Sequence, residues 1–149
     1  RARARLGPDL AAAVEPDLAG ALAAARELLA PADPAVDLLL DQRVACGVGN
    51  VYKSEILFLE GVHPLTPLAA LEDARLLALY RRARELLRRN LGPGPRATRT
   101  ARDGRARLWV YRRAGRPCLR CDAPIETARL GRGRRSSYWC PHCQPAAGA

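Results

Sequence analysis

Four cysteines near the C-terminus constrain this chain more than any other feature: Cys118-Leu-Arg-Cys121 and, after eighteen further residues, Cys140-Pro-His-Cys143. Each CxxC knuckle bends the backbone so that two sulfurs reach one ion from the same turn. Two knuckles complete the tetrahedron of soft ligands that Zn²⁺ prefers. The residues between the pairs are too polar to build a core of their own, so metal has to replace one. Structural zinc contributes about 10–16 kcal/mol in small fingers, enough to fold so short a segment. Protein fills all four positions, which makes the one expected ion structural rather than catalytic. The competing reading, two disulfides, belongs to secreted domains, and nothing else in the sequence has that character.

Charge is the second constraint. The net charge is +10, yet residues 1–95 balance twelve cations against twelve acids, while residues 96–149 carry thirteen arginines against Asp103, Asp122 and Glu126. A basic excess confined to the metal end points to a polyanion, nucleic acid above all. An Ala- and Arg-rich composition with one lysine explains why the cations are arginines, but not why they are segregated. No apolar run is long enough to cross a membrane, and Arg1-Ala-Arg-Ala-Arg-Leu6 lacks the apolar stretch of a signal peptide. The expectation is a soluble, intracellular protein held near the nucleoid by its affinity for DNA. Cys46, left over from the quartet, reads as a small packing residue, since a catalytic thiol wants a histidine and the chain has only two.

Hydrophobic periodicity predicts a mainly α chain: a helical domain over 17–95 after a linker over 1–16, a basic linker or DNA-ordered arm over 96–107, and a finger over 108–149. Asp17 is expected to cap a helix over 18–30, and Asp33-Pro34 to open another that runs to Arg43. Cys46-Gly-Val-Gly49-Asn50 then forms a tight turn with Asn50 as N-cap of a helix over 51–60. Free amides and the positive end of that helix dipole offer an anion site. Lys53, in the first turn, opposes the dipole unless an anion is near; it reads equally well as a solvated surface lysine. A longer amphipathic helix spans 73–90. Residues 108–111 read as a strand. Residues 125–130 and 137–139 read as a hairpin with an arginine-rich tip at 131–135, and Tyr138 and Trp139 as covers for the metal. His63, before a proline, is expected to pack or cap.

Leu6-Gly-Pro-Asp9, Leu40-Asp-Gln42 running into Gly47-Val-Gly-Asn-Val-Tyr52, Gly61-Val-His-Pro64 and Cys140-Pro-His-Cys-Gln144 stand in fixed order. Together they resemble the C-terminal part of the formamidopyrimidine-DNA glycosylase and endonuclease VIII family. Lys53-Ser54-Glu55 and the Tyr-Trp-Cys-Pro-x-Cys-Gln ending look closer to the endonuclease VIII branch. The resemblance implies a helix-two-turn-helix domain with its turn at 47–50, followed by an antiparallel zinc finger. It implies that Asn50 touches the DNA backbone beside a lesion and that Arg135 holds the phosphates flanking a flipped nucleotide. Gly49, Lys53 and Arg134 complete the expected DNA-binding set.

Two departures qualify the resemblance. Val36 stands where family members commonly carry a phosphate-binding lysine. No residue matches the proline nucleophile and glutamate acid of the family's N-terminal domain, so no catalytic residue is expected here. Lys53 looks a poor substitute, with nothing nearby in sequence to desolvate it. The resemblance thus implies the DNA-gripping portion of a bifunctional glycosylase and AP lyase, monomeric, without its catalytic domain, its partner being duplex DNA with a damaged base or abasic site. An RNA- or ribosome-binding module and a protein-interaction adaptor are the rival readings.

Overall fold

The computed structural model describes residues 5–148. Residues 1–4 of the expected N-terminal linker and residue 149 lie outside the described residues. Four α-helices and one hairpin make up the regular structure: α1 (Glu15–Leu28), α2 (Ala35–Leu40), α3 (Asn50–Leu59), α4 (Asp73–Arg89), β1 (Glu126–Leu130) and β2 (Arg135–Trp139), with 3-10 turns at Leu10–Ala12 and Leu68–Ala70. The mainly α architecture with a small antiparallel finger is as expected.

The helical core forms because α4 carries an amphipathic stripe, Leu76, Leu79, Tyr80, Ala83 and Leu86, all buried against α1, α3 and the turn at Leu10–Ala12. The segment expected to be a linker belongs to this core. Leu10 is fully buried, and backbone bonds Gly7 N to Gln42 O (2.8 Å), Cys46 N to Pro8 O (2.8 Å) and Leu10 N to Cys46 O (3.0 Å) stitch the segment to the loop after α2. Gly7 is obligatory there: a Cβ would lie 2.2 Å from the carbonyl oxygen of Val44. Cys46 is half-buried, its thiol against the Gly7 and Gln42 carbonyls.

Several local expectations need correction. Asp17 sits at the third residue of α1, not before it, and its carboxylate accepts the Val14 N–H at 2.9 Å. Helix α2 stops at Leu40, where Asp41 turns outward to bind Arg43. Gly49, rather than Asn50, is the N-cap of α3, which frees the asparagine side chain for other partners. Of the two turn glycines only Gly47 needs positive φ (118°). Residues 108–111 are not a strand, and residues 96–107 are no free arm: Asn90 bonds Ala97 in both directions, Thr98 is buried, and Arg99 grips Asp103 at 2.6 Å.

Candidate nucleic-acid interface

The finger rests on α3, and the reason is written in three consecutive polar residues. Val51 to Phe58 are all buried, so Lys53, Ser54 and Glu55 must find partners inside the protein. All three find them in the finger. Lys53 Nζ donates to Ser136 O (3.1 Å) and Asn50 Oδ1 (2.5 Å). Ser54 Oγ accepts the Tyr138 N–H of β2 (3.3 Å). Glu55 accepts the N–H groups of Trp109 (2.7 Å), Val110 (2.8 Å) and Tyr111 (3.0 Å), and the Thr98 hydroxyl. That carboxylate explains why 108–111 is no strand: its donors converge on one side chain instead of a ladder.

Phe58, one turn further along, joins Val110, Cys118, Ile125 and Cys140 in a small core around the knuckles. Trp109 stacks on Phe58 (centroids 5.3 Å apart) under the Arg120 guanidinium. Tyr138 packs against this core as expected, whereas Trp139 is buried edge-on against His63. His63 both packs and accepts the Leu65 N–H at 3.0 Å, and its burial pushes its pKa down. Gln144 closes the far end, accepting the Cys140 N–H and donating to Val62 O, both at 2.9 Å.

The four Sγ atoms of Cys118, Cys121, Cys140 and Cys143 lie within 4.8 Å of one another. Cys121 and Cys140 are 3.4 Å apart and Cys118 and Cys143 3.9 Å. Zinc–sulfur bonds of 2.3 Å at tetrahedral angles give edges of about 3.8 Å, so the donor set fits zinc in size and in chemistry. Backbone N–H groups of Arg120 and Cys143 point at the Cys118 and Cys140 sulfurs (3.4 and 3.3 Å), the knuckle pattern that steadies a thiolate.

One surface collects most of the residues singled out from the sequence. Asn50 opens α3, and its Nδ2 donates to Ser136 O (2.9 Å), so the side chain lies beside the residue that follows Arg135. Arg134 and Arg135 are exposed, and Gly49 is exposed at an α3 N-terminus that has no side-chain cap. Lys53 differs from expectation. It is completely buried, and that burial, aided by Arg135 and opposed by Asp37, lowers its pKa to about 8. The amine is desolvated after all, but it is spent on two oxygen acceptors beneath the surface. Sequence reasoning placed Ser54, Glu55 and Gln144 within motifs but gave them no structural role. A Lys-Ser-Glu triplet inside an otherwise apolar helix was the available signal, because polar residues there must be paid for by buried partners.

Two stretches match known domains: residues 12–101 the formamidopyrimidine-DNA glycosylase H2TH domain, and residues 115–146 the zinc finger found in FPG and IleRS. The chain belongs to the formamidopyrimidine-DNA glycosylase and endonuclease VIII family. Within that family it is 45% identical over 145 residues to the DNA-(apurinic or apyrimidinic site) lyase Nei2 of Mycolicibacterium smegmatis, covering 97% of this chain and 54% of the relative. The MutM (Fpg) protein of Thermus thermophilus superposes with a TM-score of 0.72 at 33% identity, over 96% of this chain and 55% of that one. The Lactococcus lactis formamidopyrimidine-DNA glycosylase, solved bound to DNA containing an AP site, gives 0.74 at 25% identity, over 95% and 50%. The chain thus spans about half the length of the relatives it matches. Among its described residues no helix is long and apolar enough to cross a membrane.

Proposed function

We propose that this chain is the DNA-gripping portion of a bifunctional DNA glycosylase and AP lyase of base excision repair, binding duplex DNA at a damaged base or abasic site. One observation carries the reading: Asn50 and Arg135, on elements far apart in sequence, share a surface joined through the Ser136 carbonyl. An amide donor, an exposed arginine pair and an uncapped helix N-terminus on one face are what phosphate contacts require. The relative solved with AP-site DNA supports the choice of DNA over other polyanions.

Chemistry on the lesion is assigned elsewhere. A Schiff base needs a free amine that can reach C1′ of a deoxyribose, and among the described residues the lysine amine, Lys53, is covered and bonded to Asn50 and Ser136. The role of these residues is to hold the backbone while a nucleotide is out of the stack, with one zinc ion stiffening the finger and a single chain sufficing for the grip.

The test is a binding titration of the purified chain against abasic-site duplex, undamaged duplex and structured RNA. Salt-dependent preference for the abasic duplex, without cleavage or borohydride trapping, is expected. Preference for RNA would favour the ribosome-type module; affinity flat with salt would favour an adaptor.

A further inference from the structure

The arginine-rich turn of the finger is seated on Asp37 of α2 and on Asp33 just before that helix, contacts separate from the hydrogen bonds that α3 makes to Ser136 and Tyr138. The Arg132 N–H donates to Asp37 Oδ1 (2.9 Å), and the Arg132 guanidinium donates to Asp33 Oδ1 (2.9 Å). Gly131, at φ 79°, is pressed so closely onto this helix that a Cβ would stand 2.3 Å from Asp37 Oδ1 and 3.1 Å from Val36 Cγ2. The turn closes with Arg134 N to Gly131 O at 3.2 Å, and β2 begins at the next residue, Arg135.

A two-stranded hairpin is at best marginally stable alone. Zinc secures the open end of this one; at the closed end, where the exposed arginines sit, Asp37 and Asp33 supply the anchor. Two acids beside a basic face are otherwise a cost, since each repels the phosphates that face would bind. Buried Val36, which also lies against Gly131, stands where the family resemblance leads one to expect a phosphate-binding lysine.

Resting on the DNA-binding reading above, we infer that Asp37, assisted by Asp33, is a positioning residue for the phosphate contact of Arg135. Helix α2 contributes to DNA binding through the finger it steadies rather than through a cation of its own.

Electrostatics and positioning predict opposite signs, which makes the inference testable. Asp37→Ala removes a negative charge from the neighbourhood of DNA; if charge were all that mattered, affinity for abasic duplex would rise. Positioning requires it to fall, by about tenfold, the weight of one phosphate contact at about 1.4 kcal/mol. Asp37→Asn keeps an oxygen for the Arg132 N–H and loses the charge, so it should bind at least as tightly as the parent protein. Amide exchange read by NMR supplies a readout without DNA: the Arg132 amide should exchange faster in D37A and stay protected in D37N, with zinc content unchanged in both. A parent protein without salt-dependent affinity for DNA overturns the DNA reading and the positioning role with it. A parent that binds, with D37A binding as tightly or tighter, overturns this inference alone. Unchanged Arg132 exchange in D37A removes the anchor whatever the DNA result.

Discussion

Lys53 Nζ lies 2.5 Å from Asn50 Oδ1, inside the protein, and the same ammonium reaches Ser136 O at 3.1 Å. The lysine faces the amide oxygen of Asn50 and leaves its NH₂ pointing along the interface toward Ser136. A buried cation thus fixes the orientation of the Asn50 amide, its oxygen on Lys53 and its NH₂ on the Ser136 carbonyl. Lys53→Met should keep the fold, because the apolar chain fills the same buried space, but it leaves Asn50 Oδ1 without its donor and Ser136 O with one donor fewer. Thermal unfolding should register a loss of about 1–3 kcal/mol in a transition that stays cooperative, while affinity for abasic duplex falls about tenfold. A melting temperature that collapses with the affinity would assign Lys53 to stability instead.

Lys53 also sets a pH dependence. Burial and Arg135 lower its pKa from 10.5 to about 8. Between those values the unfolded chain holds a proton that the native chain lacks, so this group's contribution to stability rises with pH across the window and is flat below about 8. DNA binding has the opposite sign. A phosphate placed beside Asn50 and Arg135 favours the ammonium, so binding takes up a proton. Affinity at constant salt should be up to about tenfold lower at pH 9 than at pH 7. Lys53→Met should abolish most of the difference.

Glu55 makes the strongest claim on stability. Its carboxylate is fully buried and accepts three consecutive backbone N–H groups, at Trp109, Val110 and Tyr111, besides the Thr98 hydroxyl. Glu55→Ala strands those donors at about 1–3 kcal/mol each, offset where water enters the space left behind. Chemical denaturation should show a loss of about 3 kcal/mol or more, with Glu55→Gln intermediate because one acceptor oxygen survives.

The zinc quartet, the hairpin and the amphipathic α4 were legible because each depends on local spacing: CxxC knuckles, alternation across a turn, leucines at helical intervals. What escaped depends on residues far apart in the chain. Lys53 reads equally as an anion-facing or a solvated residue when only its first-turn position is known; its acceptor Ser136 lies 83 residues away. Residues 108–111 have the composition of a strand, but their N–H groups go to Glu55, 54–56 residues earlier. The stretch up to Pro16 looked like linker because Gly7-Pro8 and Glu15-Pro16 punctuate it without a periodic apolar face, yet Gly7 permits its close seat against Val44. Asp33 reads as a helix-opening acid, and nothing local announces that the finger turn lands on it and on Asp37.

Removing zinc tests the division of the fold. The helical core around Leu10, Leu76 and Tyr80 contains none of the cysteine ligands, whereas the cluster of Phe58, Val110 and Ile125 is built on Cys118 and Cys140. Chelation, or Cys118→Ser, should therefore leave most far-ultraviolet helical signal while releasing the metal, quenching the native Trp109 environment and abolishing tight DNA binding. Loss of the helices along with the metal would mean that the finger supports them.

The central claim is that Arg135, held beside Asn50, contacts a DNA phosphate. The most direct measurement is the affinity of the parent protein and of Arg135→Ala for the same abasic-site duplex across a range of salt concentrations. The account predicts a parent slope of log K on log salt of about −0.9 for each phosphate neutralised, and a slope shallower by about one phosphate in Arg135→Ala, with weaker binding and unchanged zinc content. Equal slopes and equal affinities for the two proteins would contradict it.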